Sequence, residues 1–166
     1  MKPDASETEK DWCGREADRI QRFFRRPSFL SLTIGIPFCT YKLLLGTTAV
    51  RIGSAGNVPL TYFGWLIIGW AGLDLVMNLS RVVFDLSGRP ARFECCTIAQ
   101  LGRFFRAPMA FLAIDTLLSF TIVCFMLWSG WIRMLTPVGT VLWYAATTLN
   151  LISLSLVSLY NEFRSI

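Results

Sequence analysis

Three charged side chains fall inside stretches that are otherwise apolar: Lys42, Asp74 and Asp115. A charge held in hydrocarbon costs about 3 kcal/mol on insertion scales, so such groups pair, line a water path, or carry protons and cations. Two chemistries suit these three. In the first, Asp74 and Asp115 form a proton or cation site, assisted by the polar residues Asn150, Thr147 and Thr148. In the second, the charges pair with neighbouring helices or with a partner subunit, or reach the lipid headgroups. Pairing is the expectation.

A second set of residues suggests lipid chemistry. The tetrad Arg-Phe-Phe-Arg occurs at 22–25 and again at 103–106, each followed one residue later by proline, Pro27 or Pro108. Guanidinium groups hold phosphate, and aromatic rings anchor depth at a membrane boundary. Arg15, Arg19, Arg22, Arg25, Arg26, Arg103 and Arg106 are therefore expected to bind anionic phospholipid, cardiolipin or another acidic lipid. Beyond bound phospholipid no cofactor is expected.

Much chemistry is excluded. The chain has no histidine, which removes histidine-ligated haem and zinc and histidine-based triads. Its cysteines, Cys13, Cys39, Cys95, Cys96 and Cys124, form no C-x-x-C pair. Cys95 and Cys96 are expected at the membrane surface. There is no phosphate-binding loop, nucleophile elbow or metal cluster in the sequence, so neither catalysis nor a metal is expected.

The elements that position these groups are hydrophobic spans. Residues are 54% hydrophobic, charged residues are 16%, and the mean hydropathy is +0.51. A helix needs about 20 apolar residues to cross a bilayer. Four segments qualify, at 28–50, 60–80, 109–131 and 138–160, each with a proline at or just before its start. Proline suits the first helical turn, whose N–H groups have no intrahelical acceptor. Pro37 lies inside the first span and is expected to kink it.

At 1.5 Å per residue, Asp74 and Asp115 lie about 9 and 10 Å from one face, and Lys42 about 21 Å from it. Lys42 thus either snorkels to the opposite side or is brought toward Asp74 by tilt and the Pro37 kink.

Arginines cluster before the first span, between the second and third, and after the fourth. Only Arg51 and Arg133 stand on the other side. This asymmetry, within a formal net charge of +5, places both termini on the positive side: cytoplasm, matrix or stroma. An organelle inner membrane, mitochondrial above all, is the favoured location, and nucleic acid is not an expected partner. Tyr62, Phe63, Trp128, Trp131, Trp143 and Tyr144 are expected near the outer interface.

Residues 6–26 read as an amphipathic interfacial helix. Cys13, Ala17, Ile20 and Phe24 form one stripe, and Arg15, Arg19, Arg22 and Arg26 the opposite one, about 200° away. Residues 91–106 form a weaker copy, with Phe93, Ile98, Leu101, Phe104 and Phe105 as its apolar face.

The expected fold is all-α: an integral membrane four-helix protein of two transmembrane hairpins, each preceded by an inner-face amphipathic helix. Its parts are an interfacial helix (1–27), a first hairpin (28–87), a basic linker helix (88–107), and a second hairpin with a short tail (108–166). A parallel internal repeat is consistent with RFFRRP against RFFRAP, and with Leu73-Asp74-Leu75 against Leu149-Asn150-Leu151.

The expected function is a non-catalytic accessory subunit of a larger membrane complex, respiratory, ATP-synthase or photosynthetic. It would pack on other membrane subunits and bind anionic phospholipid at the inner face. A membrane-shaping hairpin protein is the alternative, and a small oligomeric proton or ion transporter using Asp74 and Asp115 a further one.

Overall fold

A computed structural model describes residues 27–89 and 96–165. The interfacial helix expected over 6–26 lies outside the described residues, with Arg15, Arg19, Arg22, Arg25 and Arg26, as do Phe93 and Cys95. Every regular element among the described residues is helical. Four helices are long and apolar enough to cross a membrane. They are α1 (Ser28–Gly53), α2 (Val58–Leu86), α4 (Pro108–Trp128) and α5 (Pro137–Ser165), with a short helix α3 (Thr97–Phe104) between the second and third.

Local chemistry sets the helix ends. Pro108 and Pro137 open α4 and α5. Asn57 caps α2 by accepting from the Leu60 backbone N–H at 3.2 Å, with Pro59 in the first turn. α2 runs six residues beyond Ser80, to Leu86, carrying the apolar Val82–Val83–Phe84 run on the same helix. Around Pro37 the helix changes type. Just before it, Ser31–Gly35 is a π-helical turn, in which Ile36 N–H bonds to the Ser31 carbonyl five residues back. The wider turn absorbs the proline with no break in the span.

α1 is the hub. Half of its apolar window is buried inside the protein, against 22% for α2, 22% for α4 and 28% for α5. Phe38, Tyr41, Leu44 and Leu45 of α1 meet Ile67 of α2, Ile122 and Met126 of α4, and Trp143 and Ala146 of α5 in one cluster. Trp143, expected in the outer aromatic belt, is instead buried edge-on against Tyr41 at 5.0 Å between ring centres. The remaining faces of α2, α4 and α5 are covered with exposed Leu, Val, Phe and Trp, as surfaces in contact with lipid or other helices must be.

α1 and α2 pass close together at Gly46 and Gly64. A Cβ on Gly64 would sit 2.7 Å from Val50 N and 2.8 Å from the Gly46 carbonyl, so only hydrogen fits there. α5 packs on α1, along the side that carries Tyr41.

Candidate functional site

Lys42 is the centre of the site. It is 1% exposed, the most buried charge in the chain's described part along with Asp74. Its ammonium donates to Asp74 Oδ2 at 2.8 Å and to Asp115 Oδ1 at 2.6 Å. It also stands 4.4 Å from the ring centre of Trp70, a cation–π contact. Three helices are thereby joined through one nitrogen.

Helix direction explains why the side chains meet. In an α-helix the Cα–Cβ bond leans toward the N-terminus. Lys42 therefore leans toward the Ser28 end of α1. Asp74 lies on the antiparallel α2 and leans the opposite way, toward Lys42. The sequence left snorkelling of Lys42 to the opposite side open, and the structure turns it inward instead.

Asp74 is held on its other oxygen too. Oδ1 accepts from the Thr97 backbone N–H at 2.7 Å and from the Thr97 hydroxyl. That hydroxyl in turn accepts from Trp70 Nε1 at 2.7 Å. Trp70, Asp74, Asn78 and Arg81 recur at helical spacing along one face of α2. Asn78 Nδ2 donates to the Asp74 carbonyl at 2.9 Å and lies 3.7 Å from Cys39 Sγ. These bonds fix Asp74 as a bracket between α2 and the start of α3.

Cys96 caps α3, with Sγ accepting from Ala99 N at 3.4 Å. It is buried within the protein. α3 turns its small residues Ala99 and Gly102 to the bundle, and Leu101 and Phe104 outward. Arg103 and Arg106 are exposed on its last turn and just after it, Arg106 with a left-handed φ of 57°.

A cavity of about 450 Å³ lies beside the triad. It runs from Leu30, Arg81 and Met109 at one end to Lys42, Asp74 and Asp115 at the other, with Ile34, Phe38 and Leu112 among its walls. The π-helical turn of α1 lies along it, and such turns recur at functional sites.

Asn150 does not join the triad. It is buried on α5 near a separate polar pair, in which the Tyr41 hydroxyl donates to Thr147 Oγ1 at 3.1 Å. Thr148 is exposed. The structure thus unites Lys42, Asp74 and Asp115 and leaves out Asn150, Thr147 and Thr148. Thr97 and Trp70 were not singled out in the sequence. Trp70 carried a signal, standing one turn before Asp74 on the same helical face. Thr97 carried none, because nothing local brings a linker residue to a span.

Among the described residues no group of three or more Cys, Asp or Glu side chains is placed to hold a metal ion. The fold and site together define a class: an all-helical protein with four helices able to cross a membrane and a charge triad buried between them. No protein-family model, curated protein or solved structure matches the chain.

Proposed function

We propose that the chain is a non-catalytic accessory subunit of a larger membrane assembly, two hairpins in a parallel repeat with amphipathic helices on the inner face. In this reading both termini lie on the positive side of an organelle inner membrane, and the assembly is an energy-transducing one. The Arg-Phe-Phe-Arg segments bind anionic phospholipid at the inner rim.

One observation carries the reading. Gly69 and Gly72 face outward on α2, where a Cβ would meet no atom within 4 Å. Inside the chain, glycine is used differently, at the tight Gly46–Gly64 crossing. Outward small residues in a lipid-facing helix let another helix approach closely. The exposed hydroxyls Thr148 and Ser155 on α5 add groups able to bond across such a contact. The triad is in keeping with the same reading, since Lys42 finds both of its carboxylate partners within the chain. The test is native electrophoresis of the tagged protein in mild detergent. Co-migration with a large complex, lost in Gly69→Leu/Gly72→Leu, is the expected result; migration as a monomer in both would sink the reading.

A second reading, a small proton or cation transporter, is favoured by the cavity beside the triad. Asp74 is committed to Thr97 and Lys42, so Asp115 is the acid left for this role. Acid-driven flux in liposomes that disappears in Asp115→Asn is what this reading requires.

A further inference from the structure

The triad does not use up the chemistry of its cavity. Lys42 holds Asp74 Oδ2 and Asp115 Oδ1, and Thr97 holds Asp74 Oδ1. Asp115 is 4% exposed and lines the cavity; among the described residues no hydrogen bond reaches its Oδ2. One ammonium against two carboxylates leaves a formal charge of −1 on the triad. In a low-dielectric interior such a residual charge attracts a cation strongly.

The rest of the cavity suits an apolar body. Leu30, Ile34, Phe38 and Leu112 face it, and its volume of about 450 Å³ falls within the span of small-molecule sites. The other charge on its lining is Arg81. It stands seven residues from Asp74, about 10 Å along α2. Its Nε is buried without a hydrogen-bond partner. The two lining thiols are already engaged, Cys39 with Asn78 Nδ2 and Cys96 with Ala99 N.

We propose that this cavity binds a monovalent amphiphilic cation, a protonated amine on a small apolar body, with the ammonium donating to Asp115 Oδ2. The proposal deepens the cation reading of the same site and rests on it, but concerns occupancy and not passage. Arg81 gives it a sign. A positive charge on the same cavity lining lowers the affinity for a cation, so removing it raises that affinity.

The test uses the full chain in phosphatidylcholine nanodiscs, which carry no net lipid charge. Phenethylammonium is titrated at neutral pH by calorimetry, with the neutral 2-phenylethanol as its near-isostere. The expected result is saturable one-site binding of the amine, at least tenfold tighter than the alcohol. Asp115→Asn weakens the amine at least tenfold, and Arg81→Gln tightens it severalfold. Arg81→Gln sits outside the triad, so it stands as a test even where Asp115→Asn fails to fold. Equal binding of amine and alcohol, absence of saturable amine binding, or weaker amine binding in Arg81→Gln would overturn the proposal. Amine binding without any flux in liposomes sinks the transport reading alone; proton flux without amine binding sinks this one alone.

Discussion

The backbone N–H of Thr97 is bonded to the side chain of Asp74 at 2.7 Å, across 23 residues of chain. A residue of the linker is thus fastened to a carboxylate buried between spans, and the start of α3 is fixed by the charge triad. Thr97→Val keeps the shape and the backbone bond but removes the hydroxyl, which bridges Asp74 and Trp70. It is expected to cost about 1 kcal/mol. Asp74→Asn removes the charge that holds both Lys42 and Thr97, and is expected to cost about 3 kcal/mol or more. Unfolding by SDS titration measures both. Equal losses in the two variants would mean that the charge itself contributes nothing.

The triad should also be strongly non-additive. Lys42→Met alone leaves two carboxylates buried side by side with no cation. Lys42→Met/Asp74→Asn/Asp115→Asn leaves no charge at all. Breaking one partner of a buried ion network costs about 3–5 kcal/mol, whereas replacing the whole network is often near neutral. The triple variant is therefore expected to be more stable than Lys42→Met in the same SDS titration. If the single variant is the more stable, Lys42 is not the group that neutralises Asp74 and Asp115.

Glycines at the inner and outer faces of α2 should respond oppositely. Gly64→Ala forces a methyl against backbone atoms of α1 and is expected to destabilise by about 2 kcal/mol. Gly69→Ala enters open space and should leave the isolated chain unchanged or slightly stabilised, since alanine favours helix. A comparable loss in both would place Gly69 in a contact within the chain.

The arginines near the second tetrad give a lipid test. Arg103 and Arg106 are exposed. Arg22→Gln/Arg25→Gln/Arg103→Gln/Arg106→Gln is expected to lower the anionic phospholipid that co-purifies, read by mass spectrometry of extracted lipid, with zwitterionic lipid unchanged. Unaltered acidic lipid would remove the arginines from the lipid-binding role.

The membrane helices were legible because their signal is local. Hydropathy and the prolines placed the starts of α2, α4 and α5 within two residues, and the start of α1 within one residue of Pro27. Asp74 and Asp115 were legible as groups of similar depth from the rise per residue alone. Lys42 was ambiguous, because depth along a helix says nothing about the tilt of Cβ or the reach of a four-carbon side chain. Thr97 was invisible, because its place depends on how the linker folds back on α2. Trp143 was misread for a related reason: an aromatic residue near a span end suits both a lipid interface and a core, and only the neighbour Tyr41 decides between them.

The position of α1 at the centre has a consequence for biosynthesis. α1 leaves the ribosome first, yet Tyr41 finds Thr147 only after 106 further residues. At cellular rates that is a wait on the order of ten seconds. Lys42 meets Asp74 after 32 residues and Asp115 after 73. The charge that a nascent span tolerates worst in lipid thus acquires its counter-ions early. The face that carries Tyr41, without a formal charge, is covered last, so the charged group of α1 finds its partners before the uncharged ones do.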